Sequence, residues 1–235
     1  MEFSIYLLLV LIEYVLLVST AAPFILVNRF CKHPNLGIAI WFALFFTAMA
    51  AAILALGIAA WSIIETYYLL QTATDIWLVL AVSLAPWLLL GFAGILLALS
   101  NQKLEPLFRA AKEFDQLAKL ARREVESFHK AKVFELEIPG FLAITKGYEI
   151  YLSKAVFDLP ERQLNAVLWH EYGHIRLGHQ RLKSVTNLMM QLTPWFVVSK
   201  AFSAEVARLC EVAADNYALK RVYSKDLAEA RGHFH

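Results

Sequence analysis

Three long hydrophobic runs fill the first hundred positions of the chain, and charged residues concentrate after them. The runs extend from Phe3 to Val27, from Leu36 to Ile64 and from Ile76 to Leu99. Each is longer than the roughly 20 residues that a helix needs to cross the hydrocarbon core of a bilayer. The pattern therefore predicts three transmembrane helices that form a domain over residues 1–100.

The polar part of the chain predicts a different architecture. From Asn101 to Lys132 apolar side chains recur at helical spacing among charges, which predicts an amphipathic connecting helix over 101–132. Short runs at 133–138, 143–145 and 149–152 predict the strands of a small sheet. We therefore expect a mainly α membrane protein in which three transmembrane helices precede an α+β domain, residues 133–235.

The charges of the loops predict an orientation. The first loop holds Arg29 and Lys32, the second holds Glu65 and Asp75 without a basic residue, and basic residues recur after the third run. By the positive-inside rule, we expect a multi-pass protein of the cell membrane with its N-terminus outside and its C-terminal domain in the cytoplasm. A composition of 59% hydrophobic residues agrees with this class, and a net charge of +2 gives no reason to expect direct nucleic-acid binding.

Two features lie inside the predicted spans. Glu13 is an ionisable residue deep in the first run, where it marks either a functional site or an interhelical hydrogen bond. Ala48, Ala52 and Ala55 in the second run permit close approach of another helix. That helix belongs either to the same protein or to the second copy in a homodimer.

The candidate chemistry lies at His170-Glu171-Tyr172-Gly173-His174, in a helix predicted to run from about Pro160 to Leu177. Histidines four residues apart lie about 40° apart around a helix, so both imidazoles can bind one metal ion. Glu171 lies beside them, where it can act as the general base toward a metal-activated water. Imidazole and carboxylate ligands in a tetrahedral site favour Zn²⁺.

A catalytic zinc site needs a third protein ligand. The best candidate is Glu211, in a later alanine-rich segment of helical pattern. Asp215 follows one turn later on the same face and is predicted to hydrogen-bond a ligand histidine. His179 is the alternative third ligand, although we expect Gly178 to end the helix before it.

The segment 185–202 is apolar enough to suggest a fourth span, but it contains Asn187, Gln191, Pro194 and Lys200. A single crossing would also leave Glu211 and His170 on opposite sides of the membrane. We therefore predict that 185–202 lies at the membrane interface, or enters the membrane and returns at Pro194.

The sequence HEYGHIRLGH at His170–His179, followed by EVAAD at Glu211–Asp215, resembles the membrane glutamate-zincins. Residues 139–218 are most similar to the BlaR/MecR-type antirepressor metallopeptidases, with the HtpX and prenyl-protein protease type as the second choice. The resemblance implies a zincin-like cytoplasmic domain. It also implies that His170, His174 and Glu211 bind zinc and that Glu171 is the base.

Together these observations predict a membrane-embedded zinc metalloendopeptidase of the gluzincin type. Its expected partners are membrane lipid and a protein or peptide substrate. That substrate is a cytosolic transcriptional repressor if the protease serves signalling, or a membrane protein if it serves quality control. A non-catalytic zinc-binding membrane scaffold is the alternative from another class, against which the intact Glu171 argues.

Overall fold

Two long apolar helices begin the structure, a computed structural model that describes residues 2–70, 84, 88, 90–95, 122–193 and 197–234. Helix α1 is Glu2–Leu26 and helix α2 is Pro34–Leu70. By length and composition, Tyr6–Leu26 and Pro34–Ser62 are each able to cross a membrane. They coincide with the first two predicted spans. The third lies mostly outside the described residues, although residues 84, 88 and 90–95 are helical.

Polar and small side chains join and pack these two helices. The hydroxyls of Tyr14 in α1 and Thr47 in α2 are hydrogen-bonded at 2.8 Å. Ala48 and Ala55 of α2 are buried, which agrees with a packing role for them inside the protein. Glu13 is exposed on α1.

The predicted helix over 101–132 is wrong in its last part. Arg122–Phe128 forms strand β1, and residues 101–121 lie outside the described residues. The strand pairs antiparallel with β2 (Ala131–Leu136) across a turn in which His129 has a φ of 55°. The backbone hydrogen bonds of this pairing outweigh the helical spacing of Val125 and Phe128, because strand formation depends on the neighbouring strand more than on intrinsic preference.

The remaining strands lie where the sequence predicts them. Strand β3 is Ala143–Lys146 and strand β4 is Glu149–Ser153, joined by a turn in which Gly147 has a φ of 61°. The sheet order is β1-β2-β4-β3, in which β2 and β4 are parallel and the other pairs antiparallel. Strand β3 is therefore an edge strand.

Helices follow the sheet to the end of the described residues. They are α3 (Lys154–Phe157), α4 (Glu161–Arg176), α5 (His179–Leu192), α6 (Val197–Ala218) and α7 (Ser224–Gly232). Helix α4 carries the histidine motif and begins after Pro160, in agreement with the predicted start. The segment 185–202 is divided between α5 and α6, and its place at a membrane interface stays a prediction.

The hydrophobic core holds α4 against one face of the sheet. Val133, Ile150 and Leu152 from the strands pack with Val167 and Tyr172 from α4. Burying a side chain of this size contributes about 1.5–3 kcal/mol relative to leaving it in water. Helix α7 also packs on α4, so the motif-bearing helix is fixed by both neighbours.

The described residues form two compact units. One contains α1, most of α2 and Met189–Phe202, and the other contains Phe30–Ile38, the sheet, α3, α4, α7 and the rest of α6. The predicted domain limit at residue 100 lies outside the described residues. All residues of the candidate site lie in the second unit.

Gly37 tests the packing of the segment Phe30–Ile38 on α6. A Cβ atom at Gly37 would lie 2.5 Å from Phe30 Cβ and 2.9 Å from Leu209 Cδ1. We expect Gly37→Ala to lower the free energy of unfolding by about 1–3 kcal/mol, because the added methyl group would overpack the core at this position. Denaturation of the purified protein in detergent measures this change.

Gly57→Ala in α2 is the matched control. A Cβ at Gly57 meets no atom within 4 Å among the described residues. The change should therefore raise stability, by up to about 1 kcal/mol, through helix propensity. Equal stability of the two variants would contradict the close approach at Gly37.

Candidate metal centre

Helices α4 and α6 bring the predicted ligands together. His170 and His174 lie one turn apart on α4, and their Nε2 atoms are 3.2 Å apart. Glu211 comes from α6, which approaches α4 closely at Gly173. A Cβ at Gly173 would lie 3.3 Å from both the Cα and the carbonyl oxygen of Ala214, so a side chain there would require the neighbouring backbone to shift by a few tenths of an ångström.

Three ligand-type atoms form a small triangle at this point. Glu211 Oε2 lies 3.3 Å from His170 Nε2 and 3.6 Å from His174 Nε2. In a tetrahedral zinc site with bonds of about 2.0–2.1 Å, ligand atoms lie about 3.3 Å apart. Among the described His, Cys, Asp and Glu residues, these three form the group able to hold a metal ion. Their distances and atom types fit zinc.

Asp215 lies behind His170, in the position expected of a residue that orients a ligand. Its Oδ1 is 2.9 Å from His170 Nδ1, and its Oδ2 accepts a hydrogen bond from Arg231. Because His170 Nε2 faces the triangle, its Nδ1 carries a hydrogen atom and donates a hydrogen bond to Asp215. Burial lowers the pKa of His170, but the hydrogen bonds to Asp215 and Glu211 outweigh burial and raise that pKa to about 9.

His179 lies behind His174 in the same way, and it is not part of the triangle. The Nδ1 atoms of the two rings are 2.8 Å apart, and His179 is buried. Burial, followed by the charge of His174, lowers the pKa of His179 to about 3, so this ring is neutral. We infer that His174 Nδ1–H donates to His179 Nδ1. This geometry does not support His179 as the third ligand.

Lys183 contacts Glu211 from outside the triangle, as Asp215 contacts His170 and His179 contacts His174. Its Nζ donates to Glu211 Oε1 at 2.7 Å, which leaves Oε2 in the triangle. Burial raises the pKa of Glu211, whereas hydrogen bonds from His170, His174 and Lys183 lower it, and the net pKa lies well below its usual range. Glu211 is therefore a carboxylate, as a metal ligand must be.

Glu171 is buried between its neighbouring histidines and the sheet edge. Thr145 Oγ1, on strand β3, donates to Glu171 Oε2 at 2.6 Å. A hydrogen bond to a charged group of this kind contributes about 1.5–3 kcal/mol. The carboxylate of the predicted base is thus held in one orientation by the edge strand.

Two cavities adjoin this cluster. The first, of about 200 Å³, borders His170 and Glu171, and its apolar wall is formed by Val167, Leu227, Ala230 and Phe234. The second, of about 380 Å³, borders His174 and Glu211, and its polar wall includes Gln180, Lys183, Ser184 and Asn187. Ala143 of strand β3 lines both cavities, and Ile144 and Thr145 also line the second, so the edge strand borders the cleft.

Sequence reasoning missed three residues of this site: Thr145, Lys183 and Arg231. Lys183 lies one helical turn after His179, which is the only local signal that it faces the same cluster. Thr145 and Arg231 are far from their partners in the chain, so no spacing rule points to them.

Zinc affinity should rise with pH. Zinc needs a neutral His170, but before metal binds the pKa of this residue is about 9, so zinc must displace a proton at neutral pH. We expect the apparent affinity to increase about tenfold per pH unit between pH 7 and 8.5 and to level off above pH 9. Competition with a chelating dye at several pH values measures it. An affinity that is constant over this range would contradict the protonation of His170.

We expect His179 to strengthen zinc binding although it is not a ligand. We expect His179→Phe to weaken zinc binding about 10–100-fold, because His174 loses its hydrogen-bond acceptor. His179→Asn places an amide oxygen near the former Nδ1 and should restore most of the affinity. Zinc titration of the two variants measures this, with circular dichroism as the check on folding. Equal loss in both variants would point to His179 as a direct ligand or a packing residue.

Comparison with known proteins agrees with this geometry. Residues 111–204 match the model of peptidase family M48. The match covers less than half of the chain, includes α4 with its two histidines and ends before Glu211. No curated protein matches the chain. Found on a chain with a metal-binding cluster of this geometry, the match supports the M48 metallopeptidase family, whose members are zinc-dependent.

Proposed function

We propose that the protein is a membrane-embedded zinc endopeptidase that hydrolyses peptide bonds with Glu171 as the general base. The observation that carries the proposal is the triangle of His170, His174 and Glu211 with a buried Glu171 beside it. A metal ligand set and a base in one cleft are the two parts that metal-assisted hydrolysis requires.

The residues of the cleft have separate tasks. Zinc bound by His170, His174 and Glu211 would acidify a water molecule and polarise the scissile carbonyl. Glu171 would take the proton of the attacking water and deliver it to the leaving amine. The hydrogen bond from Thr145 to Glu171 Oε2, at 2.6 Å, keeps the base oriented through both transfers.

The substrate is proposed to bind as an extended peptide. Strand β3 is an edge strand, and its residues line both cavities beside the base. An extended segment can add to such an edge by main-chain hydrogen bonds, while the cavities receive its side chains. The apolar cavity suits an apolar side chain, and the cavity lined by Gln180, Ser184 and Asn187 suits a polar one.

The membrane location and orientation are part of the proposal. The two candidate spans in α1 and α2, and the apolar run at 76–99, support three membrane helices. The basic first loop and the basic residues after the third run support a cytoplasmic catalytic domain. Residues 185–202 are proposed to lie at the membrane interface.

A signalling role is one form that this function would take. The resemblance of residues 139–218 to the antirepressor metallopeptidases suggests a cytosolic transcriptional repressor as the substrate. A quality-control protease would use the same site on membrane proteins. A scaffold that only binds zinc is less well supported, because it needs neither a buried Glu171 nor its hydrogen bond from Thr145.

The central experiment separates zinc binding from cleavage. Glu171→Gln should retain about one zinc per chain, because Glu171 is not in the triangle, and it should lower the rate of cleavage of an unfolded protein at least about a hundredfold. Glu161→Gln, an exposed residue in the first turn of the same helix, is the control. Elemental analysis and gel-based cleavage measure the two properties.

The outcomes distinguish the candidate functions. Cleavage by Glu171→Gln at the wild-type rate would exclude this residue as the base. A wild-type protein with full zinc and no cleavage would favour the scaffold. Glu171→Gln, isolated from its native membrane together with a bound partner, identifies the substrate as a repressor or as a membrane protein.

A further inference from the structure

A separate cavity of about 330 Å³ lies away from the metal-binding triangle. Three parts of the chain form it: the segment before and at the start of α2, the C-terminal end of α4, and the end of α6 with the turn after it. Its lining residues are Lys32, His33, Pro34, Asn35, Leu36, Leu177, Ala213, Asn216, Tyr217 and Lys220. The size falls within the range of about 300–1,000 Å³ that is usual for small-molecule sites.

The charge of this cavity is one-sided. Lys32 and Lys220 are exposed and cationic, His33 adds a third nitrogen group, and none of the described lining residues is acidic. Within the part of the chain that the structure describes, neither lysine forms an ion pair. Two unneutralised cations that converge on one concave surface attract an anion.

The other lining residues restrict the kind of anion. Asn35 and Asn216 supply amide groups that can donate to oxygen atoms. Leu36 and Leu177 supply an apolar wall, which a free inorganic anion would leave unused. A polar, cationic end beside an apolar wall matches a phosphate joined to a glycerol and an acyl chain.

The position in the chain indicates where such a ligand would come from. Lys32 and His33 lie in the short loop between the candidate spans Tyr6–Leu26 and Pro34–Ser62. A loop that joins two membrane helices lies at the level of the lipid headgroups, and basic residues at the cytoplasmic surface attract anionic lipids. We propose that this cavity binds the phosphate of an anionic glycerophospholipid through Lys32 and Lys220. The proposal rests on the membrane location proposed above and on no part of the peptidase mechanism.

Lipid binding at this cavity would also involve the helix that carries a zinc ligand. Ala213 and Asn216 lie on α6, as do Glu211 and Asp215, and Lys220 lies in the turn that follows this helix. A lipid held there would fix α6 at the membrane surface by contacts distinct from those at the metal centre.

The test uses the full-length protein in detergent and measures retained lipid by native mass spectrometry. Phosphatidic acid or phosphatidylglycerol is compared with phosphatidylcholine, and glycerol phosphate is the water-soluble probe. We expect the wild type to prefer the anionic lipids. Lys32→Gln/Lys220→Gln should lower that affinity about tenfold or more, since each basic residue near the headgroups contributes separately.

The control is Lys130→Gln/Lys225→Gln, which removes two exposed lysines outside the cavity. This variant should retain the lipid, and both variants should keep the zinc content and cleavage activity of the wild type. Equal losses in the two variants would show general attraction rather than a site and overturn the proposal. Equal binding of phosphatidylcholine, or equal affinity for glycerol phosphate, would also overturn it.

Carbonate extraction of native membranes separates the underlying assumptions. Release of the protein by carbonate would overturn both the membrane location and the lipid site, whereas zinc content and cleavage would still report on the peptidase. Retention in the membrane with loss of lipid selectivity in Lys32→Gln/Lys220→Gln would support the site. These results are independent of whether Glu171 is the catalytic base.

Discussion

The site depends on the close approach of α4 and α6 at Gly173. The missing side chain lets the backbone of Ala214 come within 3.3 Å of the position a Cβ would take. This approach brings Glu211 Oε2 to 3.3 and 3.6 Å from the two histidine nitrogens. Because those distances match the spacing of ligands around one zinc ion, a small outward shift of α6 would remove the third ligand while leaving the histidines in place.

Each of the three triangle residues also contacts one residue outside the triangle. His170 donates to Asp215, His174 contacts His179, and Glu211 accepts from Lys183. These contacts determine which atom of each side chain faces the triangle, and they reduce the freedom that binding a metal would otherwise have to restrict. Asp215 is in turn held by Arg231 of α7, so the packing of α7 on α4 contributes to the order of the metal centre.

The strand at Arg122–Phe128 shows where local pattern is a poor guide. Its apolar residues repeat at a helical interval, and most of its side chains are exposed, so burial gives no alternation to recognise. Pairing with β2 decides the conformation, and pairing is a contact between segments rather than a property of one. Strands β2 and β4 are mostly buried, and a glycine turn joins β3 to β4, so these strands are predictable from the sequence alone.

The sequence by itself determines the apolar helices, the helix with His170, Glu171 and His174, and the candidacy of Glu211 and Asp215. Helical spacing places two histidines on one face, and helix length relates an apolar run to a bilayer, so both follow from local geometry. Only the tertiary structure places His179 behind a ligand instead of in the triangle, and only it assigns Thr145, Lys183 and Arg231 to the site. Those roles depend on how strand β3, helix α5 and helix α7 pack around α4, which no interval along the chain encodes.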